Sequence, residues 1–178
     1  MITSLDGYVA DDTGNFDWAM PDEEVHSFAN ALELRMGTSL YGRKMYEIMA
    51  VWDTMDVEHE PAPVKEYAQI WKANDKIVYS KTLTSASTPK TVIKADFDPE
   101  EVKQLKLSSA KDISISGPQI AAMAIKAGLV DEFHQFIAPV IVGGGNAWLP
   151  DNVRLDLKLV EEKRFSSGFV YLHYRVAW

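Results

Sequence analysis

The stretch from Lys111 to Asn146, KDISISGPQIAAMAIKAGLVDEFHQFIAPVIVGGGN, constrains the fold of this chain more than any other. Ile113 and Ile115 alternate as in a buried strand. Ser116-Gly117-Pro118 then breaks the strand, and Pro118 suits the first position of a helix. Ile120, Met123, Ala124 and Ala127 fall on one helical face, and Gly128 ends that helix as a left-handed cap would. A second β-rich run, Phe133 to Val142, stops at three glycines. Strand, glycine turn, helix and strand in roughly thirty residues make a βαβ unit, which predicts two parallel neighbouring strands. Ligands of open α/β sheets sit beyond the carboxyl ends of the strands. The turn from Ser116 to Gln119 falls there, at a helix start whose free N–H groups and dipole attract a phosphate.

At 178 residues the length predicts one domain, residues 1–178, and 47% hydrophobic residues suffice for a full core. The formal net charge of −8 argues against binding nucleic acid or anionic membranes through bulk charge. A local cluster of cations can still hold one phosphorylated small molecule. With zero cysteines, disulfides, thiolate catalysis and cysteine-based zinc sites are excluded. The expectation is a cytoplasmic protein: no apolar run reaches the length of a membrane span, and the N-terminus shows no basic-then-apolar leader.

Two further strand ends carry chemistry. Thr38 to Tyr41 reads as a strand running into Gly42-Arg43-Lys44 and a helix with Tyr46, Met49 and Ala50. Cations at a helix start oppose the helix dipole. An anionic ligand removes that conflict, since Arg offers bidentate phosphate contacts and Lys a point charge; the alternative is two solvated cations in a surface turn. Lys76 to Lys81 reads as a strand ending in Ser80 and Lys81, placed either to hold a ribose phosphate or as ordinary strand-end residues.

Elsewhere, Asp6-Gly7 is a turn signal, with Asp6 either bonding local backbone or presented to a ligand. Asp17-Trp18 sets an acid beside a large aromatic, in the core or stacked on a flat heterocycle. Helices are expected from Pro21, ending at Gly37, from Val64 to Lys72, and from Asp98-Pro99 to Leu107. Val51 to Pro63 reads as loop. Leu155, Leu157 and Leu159, then Val170, Leu172, Tyr174 and Val176, alternate with polar residues. They predict an antiparallel hairpin with one wet face, on which His173 is solvated. His26, His59, His134 and His173 lack metal-site spacing, so no metal is expected. Nucleophile-elbow, P-loop and full G-x-G-x-x-G patterns are missing.

In series, Ser4–Ala10, Asp17-Trp18, Tyr41–Glu47, Tyr79–Lys81, Ile115–Ala121 and Gly128–Gly145 resemble the dihydrofolate-reductase-like superfamily. Within it they are most similar to the reductase domain of bifunctional riboflavin-biosynthesis deaminase-reductases and its stand-alone relatives. The resemblance covers nearly the whole chain. It implies an α/β, three-layer fold with a central mixed sheet, parallel in its core and antiparallel at the C-terminal hairpin, with helices on both faces. It also implies a homodimer that uses NADPH to reduce a small heterocyclic or ribosylaminopyrimidine-like substrate. By motif, Gly42, Arg43 and Lys44 lie by the cofactor phosphates, Ser80 and Lys81 by the adenine ribose and its 2′-phosphate, and Ser116, Gly117, Pro118 and Gln119 by the pyrophosphate. Asp6 and Asp17 become the expected substrate contacts or proton source. The chain departs from the family at Met45, where a threonine is usual, and at Pro118, where a second small residue is common. These departures keep open a nucleotide-binding dimeric module without turnover, and a purely structural dimer.

Overall fold

The computed structural model describes residues 1–177. In chain order the first elements are β1 (Ile2–Thr3), β2 (Tyr8–Ala10), a 3-10 turn (Asp17–Ala19), α1 (Glu23–Glu33), β3 (Met36–Gly42), α2 (Arg43–Met49), α3 (Val51–Thr54), α4 (Ala62–Ala73) and β4 (Asp75–Tyr79). They are followed by β5 (Thr91–Lys94), α5 (Pro99–Ser108), β6 (Asp112–Ser116), α6 (Pro118–Lys126), β7 (Glu132–Ile137), β8 (Asn146–Ala147), β9 (Leu157–Arg164) and β10 (Val170–Val176). The fold class is α/β, with parallel and antiparallel pairing both present. The chain divides into two compact units, His26–Met123 and the residues on either side of that segment.

The His26–Met123 unit holds a four-stranded parallel sheet in the order β5-β4-β3-β6. Tyr41, Tyr46, Trp71 and Val78 form a buried cluster on it, with Met45, Met49, Trp52 and Tyr67 packed around them. Tyr46 is 1% exposed, and its hydroxyl takes up the Ser87 and Thr88 amides at 3.0 and 3.2 Å. That one side chain therefore joins α2 to the loop before β5. The helix expected from Asp98-Pro99 forms, and the Asp98 carboxylate accepts the Glu100 amide at 2.9 Å. The segment expected to be loop after Val51 contains the short helix α3.

In the other unit, β1, β7, β10 and β9 form a mixed sheet, and β2 pairs with β8. Phe133, Ile125 and Val176 are buried together against Trp148, Leu155 and Tyr174. The cap predicted at Gly128 is a Schellman motif. Gly128, at φ +67, donates to the Ile125 carbonyl at 3.0 Å, and Leu129 donates to the Ala124 carbonyl at 3.0 Å.

Five further expectations need correction. The strands flanking α6 are not neighbours: β6 pairs with β3, and β7 pairs in parallel with β1 and antiparallel with β10. The crossover connects two ladders rather than closing one. The strand expected to reach Val142 stops at Ile137, two residues before Pro139, which has no N–H to give a ladder. Gly37 lies inside β3 instead of ending α1, and the residue before β6 runs close beside it: a Cβ there would lie 2.9 Å from the Lys111 Cβ. On α6 the buried residues are Ile120, Ala124 and Ile125, whereas Met123 is 47% exposed. Finally, β10 has no wet face built from Tyr171 and His173, which are 0% and 7% exposed. Their polar atoms find partners across the sheet.

Candidate functional site

The expected cofactor residues gather at the carboxyl edge of the parallel sheet, on three adjacent strands of one unit. Gly42, the last residue of β3, stands opposite Tyr79 at the end of β4, and Tyr41 stands opposite Ser116 at the end of β6. Neighbouring strands lie about 4.8 Å apart, so the turns beginning at Gly42, Ser80 and Gly117 form one row roughly 10 Å long.

The middle and far turns come close through glycine. Gly117 has φ +107, a backbone that L side chains rarely adopt. A Cβ at Gly117 would lie 3.4 Å from the Met45 Cβ and 3.8 Å from the Gly42 amide nitrogen. Gly117 is itself buried, and its missing side chain lets the two turns pack closely together. The Ala121 amide donates to the Gly117 carbonyl at 3.0 Å, making Gly117 the N-cap of α6. Helix geometry leaves the Gln119 and Ile120 amides without a carbonyl four residues back. Pro118 has no amide to add.

Arg43 begins α2. Its Nε donates to Glu47 Oε1 at 2.6 Å and its Nη1 to Thr82 Oγ1 at 2.7 Å. The conflict between Arg43 and the helix dipole is thus eased one turn along by Glu47, and Thr82 ties the guanidinium to the turn after β4. In that turn Ser80 Oγ accepts the Leu83 amide at 3.0 Å. Lys81 Nζ pairs with Asp96 at 2.7 Å, and the side chains are 74% and 71% exposed. The Asp96 contact raises the Lys81 pKa. Solvent screens a pair this exposed, so a phosphate can take the place of the carboxylate. Lys44 is exposed.

Asp6 and Asp17 belong to the other unit. The Asp6-Gly7 turn forms as expected, with Gly7 at φ +86. The carboxylate reaches across the chain, however, and accepts the Gly143 amide at 2.8 Å and the Val142 amide at 3.2 Å. The Ser4 hydroxyl, then these amides, hold its pKa below the ordinary carboxylate value. At neutral pH Asp6 is therefore an acceptor with both oxygens engaged. Asp17 is exposed in its 3-10 turn, and the half-buried Trp18 beside it leaves its indole N–H without a partner. In the glycine triplet the close approach is to the chain itself: Gly145, at φ +127, lies where a Cβ would come within 2.2 Å of the Ala10 carbonyl oxygen.

Two polar features escape a sequence reading. Lys76, 2% exposed, donates to the Trp71 and Asn74 carbonyls at 3.0 and 2.8 Å and lies over the Trp71 ring. Glu132, His134 and His173 converge on the β7–β10 ladder. The signal for the second was the period-2 spacing of Glu132 with His134 and of His173 with Arg175. A shallow depression at the amino edge of the parallel sheet, lined by Gly37, Asn74, Asp75 and Lys111, brings together no comparable chemistry.

Residues 1–171 match the RibD C-terminal domain family. An uncharacterized Bacillus subtilis (strain 168) protein, YyaP, is 32% identical over 178 residues, covering 98% of this chain and 91% of its own. A crystal structure from Shewanella sp. PV-4, of a protein named for riboflavin biosynthesis, superposes with a TM-score of 0.78 at 20% identity, covering 100% of this chain and 97% of that one. The Thermotoga maritima diaminohydroxyphosphoribosylaminopyrimidine deaminase/5-amino-6-(5-phosphoribosylamino)uracil reductase superposes with a TM-score of 0.66 at 15% identity. That match covers 99% of this chain and 55% of the other.

Proposed function

The chain belongs to the RibD C-terminal domain family, and on that premise we propose that it is an NADPH-dependent reductase of a small heterocyclic or ribosylaminopyrimidine-like substrate. The observation that carries the reading is the row of three strand-end turns. Among the described residues it sets three cations, a serine hydroxyl and a positive-φ glycine along one sheet edge. The residues fit a dinucleotide. The absent Cβ of Gly117 brings the β3 and β6 turns together, and the Gln119 and Ile120 amides at the start of α6 offer donors to a diphosphate. Arg43, with Lys44 beside it, offers a fork for a second phosphate contact. Lys81, exchanging Asp96 for a phosphate, provides the preference for the 2′-phosphorylated form.

NADPH supplies the hydride for a C=N or C=O carbon, and the protein's task is to orient the reactants and exclude water. Asp6 is held ionised, which suits positioning the Val142–Gly143 backbone better than delivering a proton. Asp17 remains the acid assigned to substrate contact or proton supply. Met45, packed beside the Gly117 turn, brings no hydroxyl to the cofactor and supports the second reading, a nucleotide-binding module without turnover. We also propose a cytoplasmic homodimer. Leu157, Leu159 and Val160 on the edge strand β9 are 42%, 45% and 48% exposed, which supports pairing with a second copy. Among the described residues no helix is long and apolar enough to cross a membrane.

The test is NADPH consumption in the presence of ribosylaminopyrimidine phosphates and pterins. Substrate-dependent loss of nicotinamide absorbance supports the reductase. Cofactor binding with no turnover on any of them favours the module.

A further inference from the structure

A second cluster of ligand-type atoms lies on the mixed sheet. Glu132 and His134 alternate onto one face of β7. The antiparallel register places His173 opposite His134 and Arg175 opposite Glu132, so all four side chains share a face. His173 Nε2 lies 3.0 Å and His134 Nε2 3.5 Å from the same oxygen, Glu132 Oε2. The two imidazoles stack at 4.2 Å with their planes 18° apart, turning both Nε2 edges toward that carboxylate. All three donor atoms fall within 4.8 Å of one another.

The outer atoms of two of these groups are held by neighbours. The Tyr171 hydroxyl lies 2.7 Å from His134 Nδ1. Arg175 donates to Glu132 Oε1 from Nε at 3.1 Å and from Nη2 at 2.8 Å. Such partners fix the tautomer and direction of metal ligands.

We propose that Glu132, His134 and His173 form a binding site for a borderline divalent cation of the zinc class, with Oε2 and the two Nε2 atoms as ligands and a fourth position open to water. Two histidines and one carboxylate are a donor set that zinc takes with an open position. In the tautomer with the proton on Nδ1, the Nε2 lone pair of His134 is turned toward Glu132 Oε2 and is available to a cation. Arg175 and the Met1 ammonium, which donates to the His134 carbonyl at 2.7 Å, oppose a cation. Glu161 stands opposite His173 in the β9–β10 register.

The test is calorimetric titration of the tag-free full chain with Zn2+ after chelator treatment, with Co2+ as a spectroscopic probe. One Zn2+ per chain is expected, with Co2+ bands typical of four-coordination. His134→Ala and Glu132→Gln should each weaken Zn2+ binding by at least about tenfold, and Tyr171→Phe, which keeps the ring, by about tenfold. His59→Ala, in an exposed loop, should leave binding unchanged. Absence of stoichiometric Zn2+ binding to the wild-type chain, or full binding in a folded His134→Ala variant, overturns the site. The readout does not involve NADPH and is independent of the reductase reading.

Discussion

The Asp6 carboxylate holds the Gly143 amide at 2.8 Å across 137 residues of sequence. This contact makes the turn after β1 a clasp on the glycine loop after β7. Removing it in Asp6→Ala should leave the sheet intact and raise amide exchange at Val142 and Gly143 by about tenfold. The clasp also depends on pH. Because the folded-state pKa of Asp6 lies below the ordinary value of 3.8, the unfolded chain takes up a proton first as pH falls. The contribution is complete above that value and is lost as pH drops through the folded pKa. Exchange protection of Gly143 should therefore hold above pH 3.8 and fall below it, and the dependence should vanish in Asp6→Asn.

Gly145 tolerates no side chain. Its φ of +127 and the Ala10 carbonyl 2.2 Å from a would-be Cβ predict that Gly145→Ala costs about 3 kcal/mol or more in urea unfolding. Gly143, at φ +80 with open space beside it, should cost about 1 kcal/mol on the same change.

Lys76 is a buried cation that closes the end of α4. In Lys76→Ala the Trp71 and Asn74 carbonyls lose their donor and the Trp71 ring its cover, which predicts a loss of about 2–4 kcal/mol. Lys76→Met keeps the stem over Trp71 and should recover part of that loss. Urea midpoints of the two variants decide the order.

What the sequence disclosed was local. Gly128 announces its cap, Asp98-Pro99 its helix, and Gly42 and Gly117 their turns, because each conformation is set within a few residues. Partner choice is not local. Nothing near Ile115 or Phe133 says that their strands join different ladders, since the pairing is decided by β1, β3 and β10. The wet face assigned to His173 was wrong for a related reason: alternation marks which residues share a face, but Glu132, 41 positions away, makes a polar face fit for burial. At the strand ends, the Arg43–Glu47 pair was available from its i+4 spacing. Asp96 as the partner of Lys81 required knowing that β4 and β5 are neighbours.

The row of strand-end turns is the proposed seat for a 2′-phosphorylated dinucleotide. Titrating the protein's tryptophan fluorescence with NADPH and NADH, in the wild type and in Arg43→Ala and Lys81→Ala, tests it most directly. Saturable NADPH binding is predicted, weakened about tenfold or more by Arg43→Ala with either cofactor, and weakened about tenfold by Lys81→Ala with NADPH alone. Absence of saturable binding by the wild type, or equal affinities for both cofactors that neither substitution changes, would contradict it.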